Sequence, residues 1–254
     1  MEKAILEWRY NPSSYFENEI ILDNDQIKLR ISAGLVQLEL KNYNSTIELT
    51  HNKYNNYIES FFISQMIEQR TSYEIKNVST VIEHEDCSRE IYVKPETTTH
   101  ILRMPLRNKI VKIDKDGKII YDPDEEEKKR QLDLSTKIQN VLDKDKIVHH
   151  LLESYQNSIK FPNDELVYLY EIKDAIKTYF KNKSTVLILL KISDADWSEL
   201  GIICNKLPLK QGRHRGQMIG KLIDPKENEL EKARSIAKNI IKSFINYLNH
   251  KNAL

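Results

Sequence analysis

The sequence predicts an α+β protein, an N-terminal β-rich domain followed by a C-terminal α-helical bundle. Three observations predict it. Apolar and polar residues alternate with a period of two in several runs of residues 1–122. Beyond residue 123 apolar residues recur at helical spacing instead. At the changeover stands Asp122-Pro123-Asp124-Glu125-Glu126-Glu127, where Pro123 stops a strand and the acids suit the first turn of a helix, whose dipole favours negative charge. Two domains are therefore expected, 1–122 and 123–254.

In the first half, strict alternation marks strands at Gln26–Ile31 and Leu35–Leu40, joined by the short turn Ser32-Ala33-Gly34. Ser45–Thr50 continues the pattern after a turn at 42–44. Tyr73–Ile82 and Glu90–Val93 read as further strands. Ile110–Ile113, the turn Asp116-Gly117 and Ile119–Tyr121 read as a hairpin. The apolar run Tyr57–Met66 fits either a buried helix or a core strand. In the second half, Leu134, Ile138, Val141, Val148, Leu151, Tyr155 and Ile159 carry a helical stripe. Asp164 is placed to cap a helix through Leu166, Leu169, Ile172, Ile176 and Tyr179. Ser193, with Asp194 and Asp196 behind it, caps a helix carrying Trp197, Leu200 and Ile203. The clearest stripe is Leu230, Ala233, Ala237, Ile240, Phe244 and Leu248, on a final helix starting near Pro225.

Composition excludes several classes. Of 254 residues, 40% are hydrophobic, too many for a disordered chain. No apolar run approaches the roughly 18 residues of a spanning helix, so no membrane partner is expected. The N-terminal sequence becomes polar by Glu7, which argues against a signal peptide. Cys87 and Cys204 are the only cysteines, and two distant cysteines in a cytosolic-looking chain suggest neither a disulfide framework nor zinc spacing. A cytoplasmic protein without cofactor or metal is the default. Neither G-x-G-x-x-G nor G-x-x-x-x-G-K-[ST] occurs, which argues against folds built on a glycine-rich phosphate loop.

The net charge of +1 conceals an asymmetry: residues 1–125 hold 16 Lys+Arg against 21 Asp+Glu, a net of −5, and residues 126–254 hold 23 against 17, a net of +6. The positive charge concentrates in a loop, 205–221, that carries Lys206, Lys210, Arg213, Arg215 and Lys221 and no acid. Glycines flank Arg213-His214-Arg215, so the backbone can present that tripeptide. Arginine offers planar, bidentate donors suited to phosphate. His214 is the loop's one group that exchanges a proton near neutral pH, and so its catalytic candidate. The competing expectation is a solvated loop, or a surface that docks against acids of the same chain.

The stretch from about Leu166 to Leu248 resembles a helical domain found at the C-terminus of many prokaryotic proteins. The resemblance is carried by Tyr168-Leu169-Tyr170-Glu171-Ile172, Asp196-Trp197-Ser198-Glu199-Leu200-Gly201, Asn205 and Gln211-Gly212-Arg213-His214-Arg215-Gly216. More distantly it resembles HEPN domains, small helical bundles, often dimeric, frequent in antiviral and toxin systems, with an Arg-x4-6-His ribonuclease motif. Here Arg213 and His214 are adjacent, so that motif is not reproduced.

Other constellations have blander readings. Glu171-Ile172-Lys173 matches the E-x-K element of restriction-type nucleases but fits an amphipathic helix better. His149 and Glu153 share a helix face without a third metal ligand. Glu83–Cys87 gathers ligand-type residues in what reads as a polar turn. Tyr54, Tyr57, Tyr73 and Tyr92 offer stacking surfaces for bases, though half-buried core tyrosines are commoner. The expected function is a nucleic-acid-associated prokaryotic protein, binding RNA before DNA, as an RNA-binding or HEPN-like ribonuclease component of a defence or mobile-element system. Catalysis is left open. The alternative is a non-enzymatic interaction subunit that acts through a partner protein, with self-association through the helical domain.

Overall fold

The computed structural model describes residues 2–41, 43, 51–86, 88–93, 112–113, 119–121, 123–217 and 220–252. It is α+β as predicted. The chain divides into two compact units, Met1–Gln65 with Tyr73–Lys129, and Met66–Ser72 with Arg130–Leu254.

The first unit is built on a six-stranded antiparallel sheet, in the order β2-β3-β4-β1-β5-β6. Its strands are β1 (Lys3–Asn11), β2 (Ile20–Asp23), β3 (Ile27–Ser32), β4 (Leu35–Leu40), β5 (Glu74–Glu83) and β6 (Arg89–Val93). The turn between β3 and β4 is Ala33-Gly34, both at positive φ (49° and 85°), the geometry that matches the twist of a two-residue hairpin. Alternation places Ala4, Leu6, Trp8 and Tyr10 of β1 in the core with Leu29, Ile31, Val36 and Leu38. The ambiguous run Tyr57–Met66 is helical, within α1 (His51–Gln69). Ile58, Phe61 and Phe62 of α1 are buried, and the Tyr15 hydroxyl donates to the Phe62 carbonyl at 2.8 Å. Trp8 Nε1 donates to Asn55 Oδ1 at 3.1 Å, tying β1 to the same helix. A short separate pair, β7 (Lys112–Ile113) and β8 (Ile119–Tyr121), stands where the hairpin was expected. The expected strand Ser45–Thr50 and the turn Asp116-Gly117 lie outside the described residues.

The second unit is helical: α2 (Pro123–Leu142), α3 (Lys146–Lys160), α4 (Glu165–Phe180), α5 (Lys183–Leu190), α6 (Asp194–Gly201) and α7 (Glu227–Asn252), the first few residues of α2 belonging to the other unit. Asp145 caps α3, accepting from Ile147 N at 3.2 Å, and so splits the long stripe of residues 134–159 into two helices. Helix α4 packs on α3, α5, α6 and α7, with Leu166, Leu169, Ile172 and Ile176 all buried. The six residues of the α7 stripe are buried as the spacing predicts. A one-turn π-helix, Ile202–Lys206, continues α6 into the basic loop.

The backbone partition differs slightly from the boundary expected at 122/123. Helix α2 does start at Pro123, but the division between units falls after Lys129, and Met66–Ser72 belongs with the helices. Two ionic clusters account for that segment. Glu68 receives Lys238 Nζ at 2.8 Å and Lys242 Nζ at 2.5 Å, both from α7. Arg70, at φ 51°, reaches Glu165 Oε1 at 2.6 Å. Glu165 also receives Arg234 Nε at 2.6 Å and Arg234 Nη2 at 2.9 Å.

Candidate functional site

The basic loop leaves the π-helix and returns to α7 on a backbone frame of its own. Arg213 N donates to the Cys204 carbonyl at 2.9 Å, and Gly212 N donates to the Leu209 carbonyl at 2.9 Å. Lys210 N donates to Ile223 O at 3.0 Å and Ile223 N to Pro208 O at 2.9 Å, so Leu209 and Ile223 form a parallel bridge. Leu209 is buried beneath it. These are backbone-to-backbone bonds, to which Arg215 Nη1 adds a 3.5 Å contact to the Lys210 carbonyl.

All five loop cations, Lys206, Lys210, Arg213, Arg215 and Lys221, are exposed. Three of them meet aspartates outside the loop. Arg213 Nη1 donates to Asp174 Oδ2 at 2.8 Å, with its guanidinium 4.9 Å from the Tyr170 ring centroid. Arg215 Nη1 lies 2.5 Å from Asp164 Oδ1 and 3.3 Å from the Asn163 carbonyl. Lys210 Nζ lies 2.8 Å from Asp224 Oδ2. Asp164 thus stands at the cap position of α4 but makes no side-chain cap bond; its carboxylate serves Arg215 instead. Lys206 and Lys221 make no ion pair among the described residues. The charge cluster, unbroken in sequence, is therefore part-neutralised in space. Both arginine side chains nonetheless keep nearly half their surface open, at 46% and 45%.

His214 is half-buried, and its Nδ1 lies 3.0 Å from Gln217 Oε1. The neighbour is a neutral amide, not the carboxylate that orients the imidazole of a general base. Arg213 and His214, adjacent in the chain, turn to different partners, Asp174 and Gln217.

Beneath the loop the structure assembles a cluster that the sequence reading did not identify. Lys173 is 9% exposed, and its Nζ donates to the Trp197 carbonyl at 2.6 Å. It lies 5.0 Å from the Trp197 ring centroid and 5.7 Å from that of Tyr170, so two π faces and one carbonyl surround the ammonium. Gly201 makes the space: a Cβ there would collide with Lys173 Nζ. Burial pulls the Lys173 pKa below its ordinary value of 10.5. Burial also pushes the Cys204 thiol up to about 12, so it stays protonated at neutral pH. Tyr170, Trp197, Gly201 and Arg213, scattered over the stretch 166–248, meet at this one place. The signal was present: Lys173 is a charged residue four positions after Leu169 and three before Ile176, on the buried stripe of α4.

Comparison with protein-family models, with curated proteins and with solved structures finds no match.

The other constellations take the blander forms. Glu171-Ile172-Lys173 is helical, with Glu171 exposed and Lys173 buried, so its carboxylate and amine do not share a face. His149, His150 and Glu153 are exposed. His84, in the turn between β5 and β6, lies 2.9 Å from Glu2 and 3.3 Å from Glu90, and its bond to the Glu2 carboxylate holds its pKa above the usual histidine value. Among the described residues no group of three or more His, Cys, Asp and Glu is placed to hold a metal. Nor is any helix among them long and apolar enough to cross a membrane. Tyr73 packs against Phe62 and Tyr15, and Tyr57 sits edge-on to Phe61, as core tyrosines do. Tyr92 is exposed and donates to Glu90 at 2.7 Å.

Proposed function

We propose that the helical unit binds a phosphodiester polyanion, RNA before DNA, through the loop 205–221. One observation carries this reading: five exposed cations on one acid-free loop that has backbone hydrogen bonds of its own. Arg213 is held in place by the Tyr170 ring and Asp174, with donors to spare for a phosphate. RNA takes precedence because of the distant HEPN resemblance, which would set the protein in a defence or mobile-element system. His214 stays the one candidate for acid–base chemistry on the loop, but the reading is of binding.

A second reading has its own observation. Lys210, Arg213 and Arg215 each meet an aspartate, as they would if the loop were a strap closing the bundle and the protein worked by contacts with a partner protein. Labelled single-stranded RNA and DNA, titrated with the purified protein at low and moderate salt, separate the two. Polyanion binding predicts affinity that falls steeply with salt, because neutralised phosphates release counterions. It also predicts loss of affinity in the Arg213→Ala/Arg215→Ala variant. Gel analysis of the same samples shows whether the RNA stays intact. A strap predicts no RNA affinity, and a less stable Arg213→Ala/Arg215→Ala variant.

A further inference from the structure

Asp164, Asp174 and Asp224 each offer a carboxylate to a cation of the loop, and none of the three is on the loop itself. We infer that these aspartates are internal stand-ins for phosphate that set the affinity of the loop, and that a phosphodiester strand binds by exchanging with them. The inference rests on the polyanion reading above. A carboxylate and a phosphate oxygen make the same charge-assisted bond to a guanidinium or ammonium, so one replaces the other without moving the donor.

Three features make the exchange feasible. The pairs are open to water: the side chains of Arg213 and Asp174 are 46% and 41% exposed, and those of Lys210 and Asp224 are 55% and 79% exposed. Exposed pairs of this kind are weak and easily traded. The loop backbone is anchored by the Leu209–Ile223 bridge and by the Arg213–Cys204 bond, so releasing the side chains does not dismantle the loop. Asp164 makes no cap bond, so α4 loses no side-chain hydrogen bond when that carboxylate is released from Arg215. A monoanion displaces one carboxylate, whereas a strand that meets several cations at once, including Lys206 and Lys221, which make no ion pair among the described residues, displaces all three. Each aspartate displaced costs affinity, so together they hold down the affinity of a strand more than that of a monoanion.

The test compares three full-length proteins with labelled oligouridylate at two salt concentrations. They are the wild type, the variant Asp164→Asn/Asp174→Asn/Asp224→Asn, and a control of equal charge, Asp133→Asn/Glu153→Gln/Glu231→Gln, whose acids are exposed on the same unit. Circular dichroism and thermal melting confirm that each is folded. An exposed ion pair is worth a factor of about 1.4 to 5, so releasing three predicts binding about 3- to 100-fold tighter than in the control. Equal affinity of the triple-Asn variant and the control, with both still salt-sensitive, overturns the inference and leaves the polyanion reading standing. No binding by any of the three overturns the polyanion reading, and the inference with it.

Discussion

Glu165 is 2% exposed and has three guanidinium nitrogens within 2.9 Å, one from Arg70 and two from Arg234. An ion pair buried to this degree is costly to break from one side, because the remaining charges lose their partner in a place water reaches poorly. Glu165→Ala is expected to destabilise the helical unit by about 3 kcal/mol, read by guanidinium denaturation. A loss under about 1 kcal/mol would mean that both arginines swing out to solvent. Lys173 is the opposite case, a buried ammonium held by a carbonyl and two rings and by no carboxylate in any described ion pair. Because folding lowers its pKa, the unfolded chain binds more protons in the window between the folded value and the ordinary 10.5, and stability rises with pH across that window. Below the folded value the fold carries the full desolvation cost. Lys173→Met keeps the volume and removes the charge, so it should be at least as stable near neutral pH and should lack that rise toward pH 10. Denaturation of both proteins at the two pH values checks this, and parallel profiles would contradict it.

At the level of single elements, local sequence rules explain most of the helical unit. Ser193 accepts from Asp196 N at 3.0 Å, as its position before Asp194-Ala195-Asp196 predicts. Ser193→Ala should cost about 1 kcal/mol and lower the thermal midpoint, with no change in polyanion affinity. The α7 stripe and the β3–β4 hairpin were equally legible, because each declares its period over several residues. Strand β1 was not recognised, although Ala4, Leu6, Trp8 and Tyr10 alternate through it. Its polar positions were weighed only against a signal peptide, and pairing with β4 and β5 on both sides is what makes β1 central. Helix α5 was missed for a related reason: Val186–Leu190 is apolar on every side, so it shows no period. The run Tyr57–Met66 stayed ambiguous in sequence because buried helices and core strands look alike over ten residues.

The whole molecule carries its positive excess in residues 126–254, and composition shows that excess without showing what neutralises it. The loop cations could be listed from sequence. Their partners Asp164, Asp174 and Asp224 could not, because the pairs span 51, 39 and 14 positions, and the first two depend on how the loop lies against residues 164–174. The Lys173 cluster escaped for the same reason: Tyr170, Trp197 and Gly201 become neighbours only once α4 and α6 pack.

The most direct test of polyanion binding is the affinity for labelled single-stranded RNA as a function of salt, in the wild type and in Arg213→Ala/Arg215→Ala. If all five loop cations meet phosphates, the slope of log affinity against log salt should approach about −3.5, at about −0.7 per contact on a single strand. The double variant should bind weakly, with a slope shallower by about 1.4. Affinity that is absent, insensitive to salt, or unchanged in the double variant would contradict the account and leave the loop as a strap on the helical bundle.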